Sequence, residues 1–295
     1  MQCNKCRRTA IFFQEYSGLH LCEQHFEDDV EAKAKHEIRK HRWMIPGDHI
    51  AVALSGDQNS SALLYFLKKL ISNRRDIRLS AITLDEGIAG YHNPVSAMQI
   101  AQLLDTECIM GSFQEDLGIT VEEIAHTKGT SLACMYCRIL RNFLLNRIAR
   151  EHGITKLAIG YTLDDGAIMV LKNILQGNPG ILVSSERNVR GKIPRIEPFL
   201  SIPRNEVALY ADLHMKGYDH SRCPFNNKPF EKDVQDMLNE FTIRHPATKY
   251  ALLNLKKNLC ACVADSVSSC EQCGEPTDGI CQSCRIIGEV AANGT

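Results

Sequence analysis

The stretch IAVALSGDQNSSALLYFL, from Ile50 to Leu67, decides the fold that we expect for this chain. Its first five residues form an apolar run that is long enough for a buried strand. A polar turn, from Ser55 to Ser60, follows, and apolar residues then recur at helical spacing. A strand, a glycine-containing turn and a helix start commonly bind phosphate, because free N–H groups and the positive end of the helix dipole point at the turn. The stretch therefore predicts a nucleotide-binding loop, with a ligand-free strand–turn–helix as the alternative.

Strand and helix patterns alternate on both sides of this stretch. Apolar segments typical of strands are 77–84, 108–110 and 156–160, and helical spacing marks 95–104, 138–151 and the segment after Asp165. Such alternation predicts a Rossmann-like α/β fold, with a parallel sheet covered by helices on both faces. Ligands of these sheets bind beyond the carboxyl ends of the strands. Both the Ser55 turn and Asp85 fall there.

The N-terminal segment carries a metal-ligand pattern. Cys3-x-x-Cys6 and Cys22-x-x-His25 are separated by a hairpin-like stretch, 10–21. The chain shows no secretion signal, so C-x-x-C pairs favour metal binding over disulfides. Two such pairs predict a tetrahedral Zn²⁺ site of three thiolates and one imidazole. Because protein fills all four positions, the expected role is structural.

The C-terminal segment carries a second pattern of this kind. The predicted ligands are Cys270, Cys273, Cys281 and Cys284. Two C-x-x-C pairs this close together predict a compact four-cysteine zinc ribbon, and Gly274 and Gly279 suit its tight turns. Cys260 and Cys262 lie just outside this ribbon and receive no assignment. Cys108, in an apolar stretch, is expected to be a core thiol.

A third cysteine group lies in the middle of the chain. Cys134 and Cys137 come directly before the helical pattern of 138–151, so we expect them at or just before a helix start. The helix dipole there lowers the pKa of a thiol and favours the thiolate. Cys223 is the natural third partner. Three thiolates on a four-iron cluster leave one iron open, where a sulfur atom could bind. A catalytic dithiol and a third zinc site are the alternatives.

Two carboxylates, Asp164 and Asp165, follow the predicted strand 156–160. Carboxylates in this position suit a magnesium–nucleotide site, because Mg²⁺ is commonly bound by one or two carboxylates and substrate phosphates. An aspartate that only caps a helix N-terminus is the alternative.

Composition narrows the functional class. The formal net charge of the 295-residue chain is −1, so binding to nucleic acid would require local basic patches such as Arg39–Arg42. No apolar run reaches about 18 residues, and we expect no membrane association. The N-terminus lacks the order of a signal peptide, and we expect a cytoplasmic protein.

Taken in order, these motifs resemble the tRNA 2-thiouridine synthetases of the TtcA/TtuA group, in the PP-loop ATP pyrophosphatase superfamily, including archaeal wobble-uridine thiolases. The resemblance runs from end to end of the chain. It is carried by CxxC…CxxH, the SGxxxS loop at Ser55, DEGI at Asp85, C-x-Y-C-x-x-L-R at Cys134, LDD at Leu163, PRIxP at Pro194, Cys223-Pro224 and the terminal cysteine pairs.

The resemblance implies an activity and its cofactors. Such enzymes use ATP–Mg²⁺ to adenylate the C2 carbonyl oxygen of a tRNA uridine. Sulfur held on a [4Fe-4S] cluster, supplied by sulfide or by a ubiquitin-like sulfur carrier, then displaces AMP. The resemblance also implies tRNA as the partner and a homodimer as the assembly.

Site residues follow from the resemblance by position. Those implied to bind the nucleotide are Ser55, Gly56, Ser60, Ser61, Asp85 and Gly160. The cysteines implied to bind the cluster are Cys134, Cys137 and Cys223. Arg141 takes a basic catalytic position, and Asp164 or Asp165 takes the acidic one.

Departures from the family pattern concentrate at the nucleotide site. Asp57 stands where the family has its second glycine, and Asn59 where it has aspartate. Further departures are Arg138, Asn142, Tyr161, Thr162, Gly166 and Met169, whereas the cysteine motifs are complete. Two interpretations follow. One is a divergent thiolase in which Mg²⁺ bridges Asp57 and the phosphates; the other is a non-adenylating paralogue that binds tRNA, carries a cluster or partners an active thiolase. A third interpretation is a zinc-binding protein that does not descend from an enzyme.

The motifs divide the chain into five expected parts. These are an N-terminal zinc module (1–27), a connecting helix (28–48), the PP-loop domain (49–222), a helical extension (223–262), and the zinc ribbon with its tail (263–295).

Overall fold

The computed structural model describes residues 1–91, 94–178, 180, 182, 192–218, 223–225, 229–260, 270–273, 277 and 279–293. The strands are β1 (Phe12–Gln14), β2 (Leu19–Leu21), β3 (His49–Ala53), β4 (Arg78–Asp85), β5 (Glu107–Ser112), β6 (Lys156–Ala158) and β7 (Arg195–Ile196). The helices are α1 (Glu23–Lys40), α2 (Gln58–Ile71), α3 (Pro94–Leu103), α4 (Phe113–Leu117), α5 (Val121–Lys128), α6 (Thr130–Glu151), α7 (Leu163–Leu175), α8 (Arg204–His214), α9 (Pro229–Arg244), α10 (Thr248–Cys260) and α11 (Gln282–Asn293).

A five-stranded parallel sheet forms the centre of the molecule, in the order β5-β4-β3-β6-β7. The chain adds β4 and β5 on one side of β3 and then returns to add β6 and β7 on the other. The order of the strands therefore reverses at β3, and ligands of open parallel sheets bind at such a reversal. The loops after β3, β4 and β6 meet at this edge of the sheet. The predicted α/β fold is confirmed.

Two hydrophobic cores cover the two faces of the sheet. In β3, Ile50 and Val52 face the core that α1, α2 and α8 share, whereas Ala51 faces the core built on α5 and α6. Because both faces are covered, the strand reads as a continuous apolar run instead of an alternating one. This explains why the sequence pattern of Ile50 to Leu54 indicates a buried strand.

The N-terminal hairpin, β1 and β2, packs on the main domain through Leu21 and is also linked to it by a buried carboxylate. Glu206 of α8 is 1% exposed. It accepts hydrogen bonds from the Gln14 amide at 3.1 Å and the Tyr16 hydroxyl at 2.7 Å, and it pairs with Lys33 of α1 at 2.8 Å. A buried carboxylate needs such partners, because its desolvation is otherwise costly.

The C-terminal segment contains a helix. Residues Gln282–Asn293 form α11, which packs on α6 through the buried Ile286. The helix includes Cys284 of the predicted ribbon, and the division of this segment into a ribbon and a tail stays a prediction. Cys262 and the predicted domain boundaries at 222 and 262 lie outside the described residues. In the described part of the chain, no helix has both the length and the apolar composition to cross a membrane.

Candidate active site

The loop between β3 and α2 has the geometry of a phosphate-binding turn. Gly56 has a φ of +78°, and a Cβ atom there would lie 3.3 Å from the Ala97 backbone nitrogen. The hydroxyl oxygens of Ser55 and Ser60 lie 2.9 Å apart. Ser60 and Ser61 are buried in the first turn of α2. Four of the residues predicted to bind the nucleotide, Ser55, Gly56, Ser60 and Ser61, thus lie together.

Asp57, which replaces a family glycine, is the N-cap of α2. Its carboxylate accepts a hydrogen bond from the Ser60 N–H at 2.8 Å, and its carbonyl accepts one from the Ser61 hydroxyl at 2.6 Å. An N-cap aspartate satisfies one of the free N–H groups at a helix start. The carboxylate therefore occupies a donor that an anionic ligand of this helix start would use.

Gly160, after β6, touches the same loop from the other side of β3. A Cβ atom at this position would lie 3.0 Å from the carbonyl carbon of Asn59 and 3.1 Å from the Ser60 nitrogen. Any larger residue would push against the backbone at the start of α2. Gly160 is thus in the predicted place, and its lack of a side chain allows the loops after β3 and β6 to approach each other.

The end of β4 brings a second acidic residue into the site. Asp85 accepts a hydrogen bond from the Gly87 N–H at 2.9 Å, which shapes the turn after the strand. The next residue, Glu86, is 3% exposed and pairs with Arg141 of α6 at 2.8 Å. Sequence reasoning predicted Asp85 and Arg141 as site residues and missed Glu86, although the DEGI motif contains it.

Arg141 connects this carboxylate to the central cysteines. Its guanidinium lies 3.5 Å from the Cys137 sulfur, one turn earlier on α6. Burial of the guanidinium opposes its charge, but Glu86 and Cys137 outweigh that effect and raise the pKa of Arg141. Arg141 is therefore a fixed cation beside the cysteine site.

The cysteines of α6 do not lie at the helix start, so that prediction is wrong. The helix begins at Thr130, four residues before Cys134. The dipole effect falls off within the first turn. Burial instead raises the pKa of Cys137 to about 11, partly offset by Arg141. Without a metal, Cys137 is a neutral thiol at neutral pH, and a metal ion would have to displace its proton.

Tyr91 and Cys223 both pack against the core that contains Cys137. Burial raises the pKa of Tyr91 to about 12, and negative charge on Cys223, Glu86 and Asp57 adds to this increase, while Arg141 opposes it. Cys223 likewise raises the pKa of Cys137. The predicted third cysteine is thus in electrostatic reach of the other site residues. Tyr91 was also missed by sequence reasoning, because nothing in its local sequence distinguishes it.

Asp164 and Asp165 both have structural partners at the start of α7. Asp165 forms a capping box with Thr162, and its other oxygen accepts from the Arg204 guanidinium at 2.5 Å. Asp164 accepts from the Arg204 N–H at 2.7 Å and pairs with Lys249 at 2.6 Å. These contacts correspond to the capping alternative, and they leave the two carboxylates already paired with cations.

The N-terminal ligands Cys3, Cys6, Cys22 and His25 form a group whose ligand atoms all lie within 4.8 Å of one another. Cys6 and Cys22 have sulfurs 3.6 Å apart, and the His25 Nδ1 lies 3.3 Å from the Cys22 sulfur. Tetrahedral ligation of one ion at zinc-like bond lengths gives S–S and S–N separations of about 3.8 and 3.6 Å. Burial raises the pKa of Cys3, but backbone N–H donors, including that of Lys5 at 3.4 Å, outweigh it and lower the pKa to about 6. The group therefore fits a single metal ion.

The C-terminal ligands Cys270, Cys273, Cys281 and Cys284 form a second group within the same limit. The sulfurs of Cys273 and Cys281 lie 3.5 Å apart. The Cys281 N–H donates to the Cys270 sulfur at 3.2 Å and lowers the pKa of that thiol to about 6. Gly279, with a φ of +78°, lies in the predicted turn, whereas Gly274 lies outside the described residues. This group also fits a metal ion.

The central cysteines differ from these two groups. Among the described residues, Cys134, Cys137 and Cys223 do not form a group within the 4.8 Å limit. Sulfurs that share one zinc ion lie closer together than this, whereas those of an iron–sulfur cluster bind different irons and lie farther apart. These described side chains therefore do not form the third zinc site, and the cluster and the catalytic dithiol both stay predictions.

The parallel sheet, the loop after β3 and the opposed cysteines define a PP-loop protein. The PP-loop domain model matches residues 26–223, two thirds of the chain. The model described as "2-thiouridine synthetase TtuA, N-terminal LIM domain" matches residues 2–27.

Curated relatives and a solved structure carry the assignment further. The chain is 30% identical to the tRNA 2-thiolation protein NcsA of Haloferax volcanii, over 99% of this chain and 100% of that protein. It is 28% identical to the tRNA-5-methyluridine(54) 2-sulfurtransferase of Pyrococcus horikoshii, over 98% of this chain and 94% of that protein. The structure is similar to that of the U34-tRNA thiolase NcsA of Methanococcus maripaludis, which was solved with its [4Fe-4S] cluster. The TM-score is 0.88 and the sequence identity is 27%, over 98% of this chain and 96% of that one. The chain belongs to the tRNA 2-thiolation family of PP-loop proteins.

Proposed function

We propose that this protein is a sulfurtransferase that converts a tRNA uridine to 2-thiouridine with ATP. The uridine C2 oxygen attacks the α-phosphorus of ATP and pyrophosphate leaves. A sulfur nucleophile then adds to C2, the C2–O bond breaks, and AMP leaves with the former carbonyl oxygen. Adenylation is needed because a urea-like carbonyl is a poor electrophile with a poor leaving group.

The observation that carries this proposal is the meeting of two chemistries at one edge of the sheet. Arg141 pairs with Glu86, directly after β4, at 2.8 Å and lies 3.5 Å from the Cys137 sulfur, so the carboxyl end of the sheet and the cysteine helix share one cation. A reaction that joins nucleotide activation to sulfur transfer needs both groups beside one substrate atom. Arg141, a cation between Glu86 and Cys137, is suited to stabilise the negative charge that develops at C2 and the phosphate.

The central cysteines fit a [4Fe-4S] cluster bound by Cys134, Cys137 and Cys223. The adjacent Arg141 cation suits a negatively charged cluster, and each of the three thiols can supply one ligand to it. When bound, such a cluster supplies an open iron that can bind the sulfur to be transferred. Either sulfide or a ubiquitin-like thiocarboxylate carrier would provide that sulfur. The two outer cysteine groups would each hold structural Zn²⁺.

The nucleotide loop fits ATP only after one change. Gly56 and Gly160 give backbone access, but the Asp57 carboxylate already accepts from the Ser60 N–H. We therefore propose that Asp57 leaves this cap and binds the Mg²⁺ of ATP–Mg²⁺, since Mg²⁺ prefers carboxylate and phosphate oxygens. Asp164 and Asp165, which already pair with Lys249 and Arg204, then shape the site instead of binding this metal.

A non-adenylating paralogue is the second candidate, and the capped Ser60 N–H favours it. In that case the cysteine site would remain and the nucleotide would not bind. The two candidates differ in a direct assay. Anaerobically reconstituted protein is incubated with tRNA, ATP, Mg²⁺ and sulfide, and 2-thiouridine is measured by mass spectrometry of the nucleosides.

Two controls make this assay specific. A Cys137→Ser variant should form no 2-thiouridine, whereas Cys108→Ser, at a cysteine outside the three groups, should act like the natural protein. Mapping the product within the tRNA identifies the target uridine, because the named relatives act at positions 34 and 54.

A further inference from the structure

The buried carboxylate of Glu86 lies between the nucleotide end of the sheet and the cysteine helix. It is 3% exposed, and one of its oxygens pairs with Arg141 at 2.8 Å. Within the part of the chain that the structure describes, the other oxygen, Oε2, is buried and has no hydrogen-bond partner, and the same holds for the Arg141 Nε atom. A buried carboxylate with an unsatisfied oxygen is costly, even when its partner, as here Arg141, keeps part of its side chain in contact with solvent. Stability alone therefore gives no reason for this pair.

The backbone around Glu86 is fixed by its neighbours. The Glu86 carbonyl accepts from the Val121 N–H at 3.0 Å, at the start of α5. The following Gly87 has a φ of +65°, and a Cβ there would lie 2.5 Å from the Thr120 side chain. The carboxylate consequently enters the site from a rigid turn, not from a free loop end.

The Arg141 side chain, by contrast, could adopt other rotamers if this carboxylate were absent. It is 41% exposed as a whole, and besides Glu86 its guanidinium contacts the Cys137 sulfur at 3.5 Å, an acceptor that is weaker than a carboxylate. The stronger contact is therefore the one with Glu86, and it determines where the guanidinium lies.

We propose that Glu86 is the positioning residue that fixes the Arg141 guanidinium beside Cys137 and the reacting atoms. The effect of Glu86 on catalysis rests on the proposed function. Its effect on the position of the Arg141 guanidinium does not, and it can be observed without activity. Glu86 acts through Arg141 and does not touch the substrate. Misplacing a catalytic group by about 1 Å can cost as much as a hundredfold in rate.

A matched control is a second pair in which an arginine of α6 contacts a carboxylate of another element. Asp116 pairs with Arg147, further along α6 and away from the cysteines. Glu86→Gln and Asp116→Asn each replace a carboxylate by an amide of the same shape. Thermal unfolding of both variants shows whether either has lost the fold, and Glu86→Asp, which keeps the charge, is the conservative rescue.

The first test is geometric and requires no cluster and no activity. In the metal-free crystal structure of Glu86→Gln, we expect the Arg141 guanidinium to leave the 3.5 Å contact with Cys137. In Asp116→Asn and Glu86→Asp it should stay. An unmoved guanidinium in Glu86→Gln would overturn the proposal. After reconstitution, the electron paramagnetic resonance spectrum of the reduced cluster should change in Glu86→Gln and not in Asp116→Asn.

The second test is a double-mutant cycle on tRNA thiolation. Glu86→Gln should lower kcat about tenfold or more, with the KM for tRNA changed less than about twofold. In the Arg141→Ala background it should have almost no further effect, since residues that act as one unit are non-additive. Full additivity would overturn the proposal. If the natural protein does not thiolate tRNA, the proposed function fails, while the crystal structures still decide the role of Glu86.

Discussion

The interaction of Asp57 with ATP gives the sharpest prediction for the nucleotide loop. Its carboxylate accepts a hydrogen bond from the Ser60 N–H at 2.8 Å. A phosphate bound at the start of α2 would therefore lie about 4 Å from this carboxylate. Two unit charges at that distance repel by about 1 kcal/mol in water and about 4 kcal/mol at an effective dielectric near 20. These values correspond to roughly fivefold and thousandfold in affinity. Because Asp57 is exposed, the lower value is the firm expectation.

The perturbation is Asp57→Asn, which removes the charge and keeps a good N-cap residue. Without Mg²⁺, in the presence of EDTA, the variant should bind ATP at least about fivefold more tightly than the natural protein. With Mg²⁺ this difference in ATP affinity should become smaller or change sign, because the Asp57 carboxylate of the natural protein then binds the metal. Isothermal titration calorimetry under anaerobic conditions measures both affinities.

The Mg²⁺ dependence is the decisive quantity in this comparison. Equal stimulation of ATP binding by Mg²⁺ in the natural protein and in Asp57→Asn would refute the proposed role of Asp57. If the natural chain binds no ATP even with Mg²⁺, while Asp57→Gly combined with Asn59→Asp does, the fold is intact around a disabled loop. The non-adenylating candidate would then replace the thiolase.

Three further predictions concern the nucleotide loop, the contact between the N-terminal hairpin and the main domain, and the N-terminal metal site. Gly160→Ala should weaken ATP binding and destabilise the fold by about 1–3 kcal/mol, because its Cβ would press on the Asn59 backbone; calorimetry and thermal unfolding check this. Glu206→Ala should lower the free energy of unfolding in denaturant by about 1–3 kcal/mol, because Tyr16 loses a hydrogen bond to a buried carboxylate while Gln14 and Lys33 keep Asp29 as a partner. Glu107→Ala, at an exposed ion pair, should cost less than about 1 kcal/mol. Cys22→Ser should lower zinc content from two ions per chain to one by elemental analysis, and an unchanged content would exclude the N-terminal site.

The sequence predicts the parts of this fold that local patterns determine. The apolar run at Ile50, the polar turn and the helical spacing that follows correspond to β3, the loop and α2. Spacing also identifies the two outer metal-ligand groups, because each pair sits on one short turn. Asp57 as an N-cap was within reach of the sequence, since aspartate three residues before Ser60 is a common capping arrangement.

Other features depend on tertiary packing and escaped the sequence patterns. The segment that carries Cys134 belongs to α6, and its residues Ala133, Cys137 and Leu140 are buried in the core built on α5 and α6, a contribution that no local pattern shows. The same reason explains α11, which is anchored by Ile286. The pairing of Glu86 with Arg141 joins residues 55 positions apart, and no local pattern records such a pair.

Formation of 2-thiouridine tests the central claim most directly. The anaerobically reconstituted protein, given tRNA, ATP, Mg²⁺ and a sulfur donor, should produce 2-thiouridine and AMP in equal amounts. Omission of ATP, or replacement of Cys137 by serine, should abolish the product. A reconstituted protein that holds its cluster, binds tRNA and forms neither 2-thiouridine nor AMP would contradict the account.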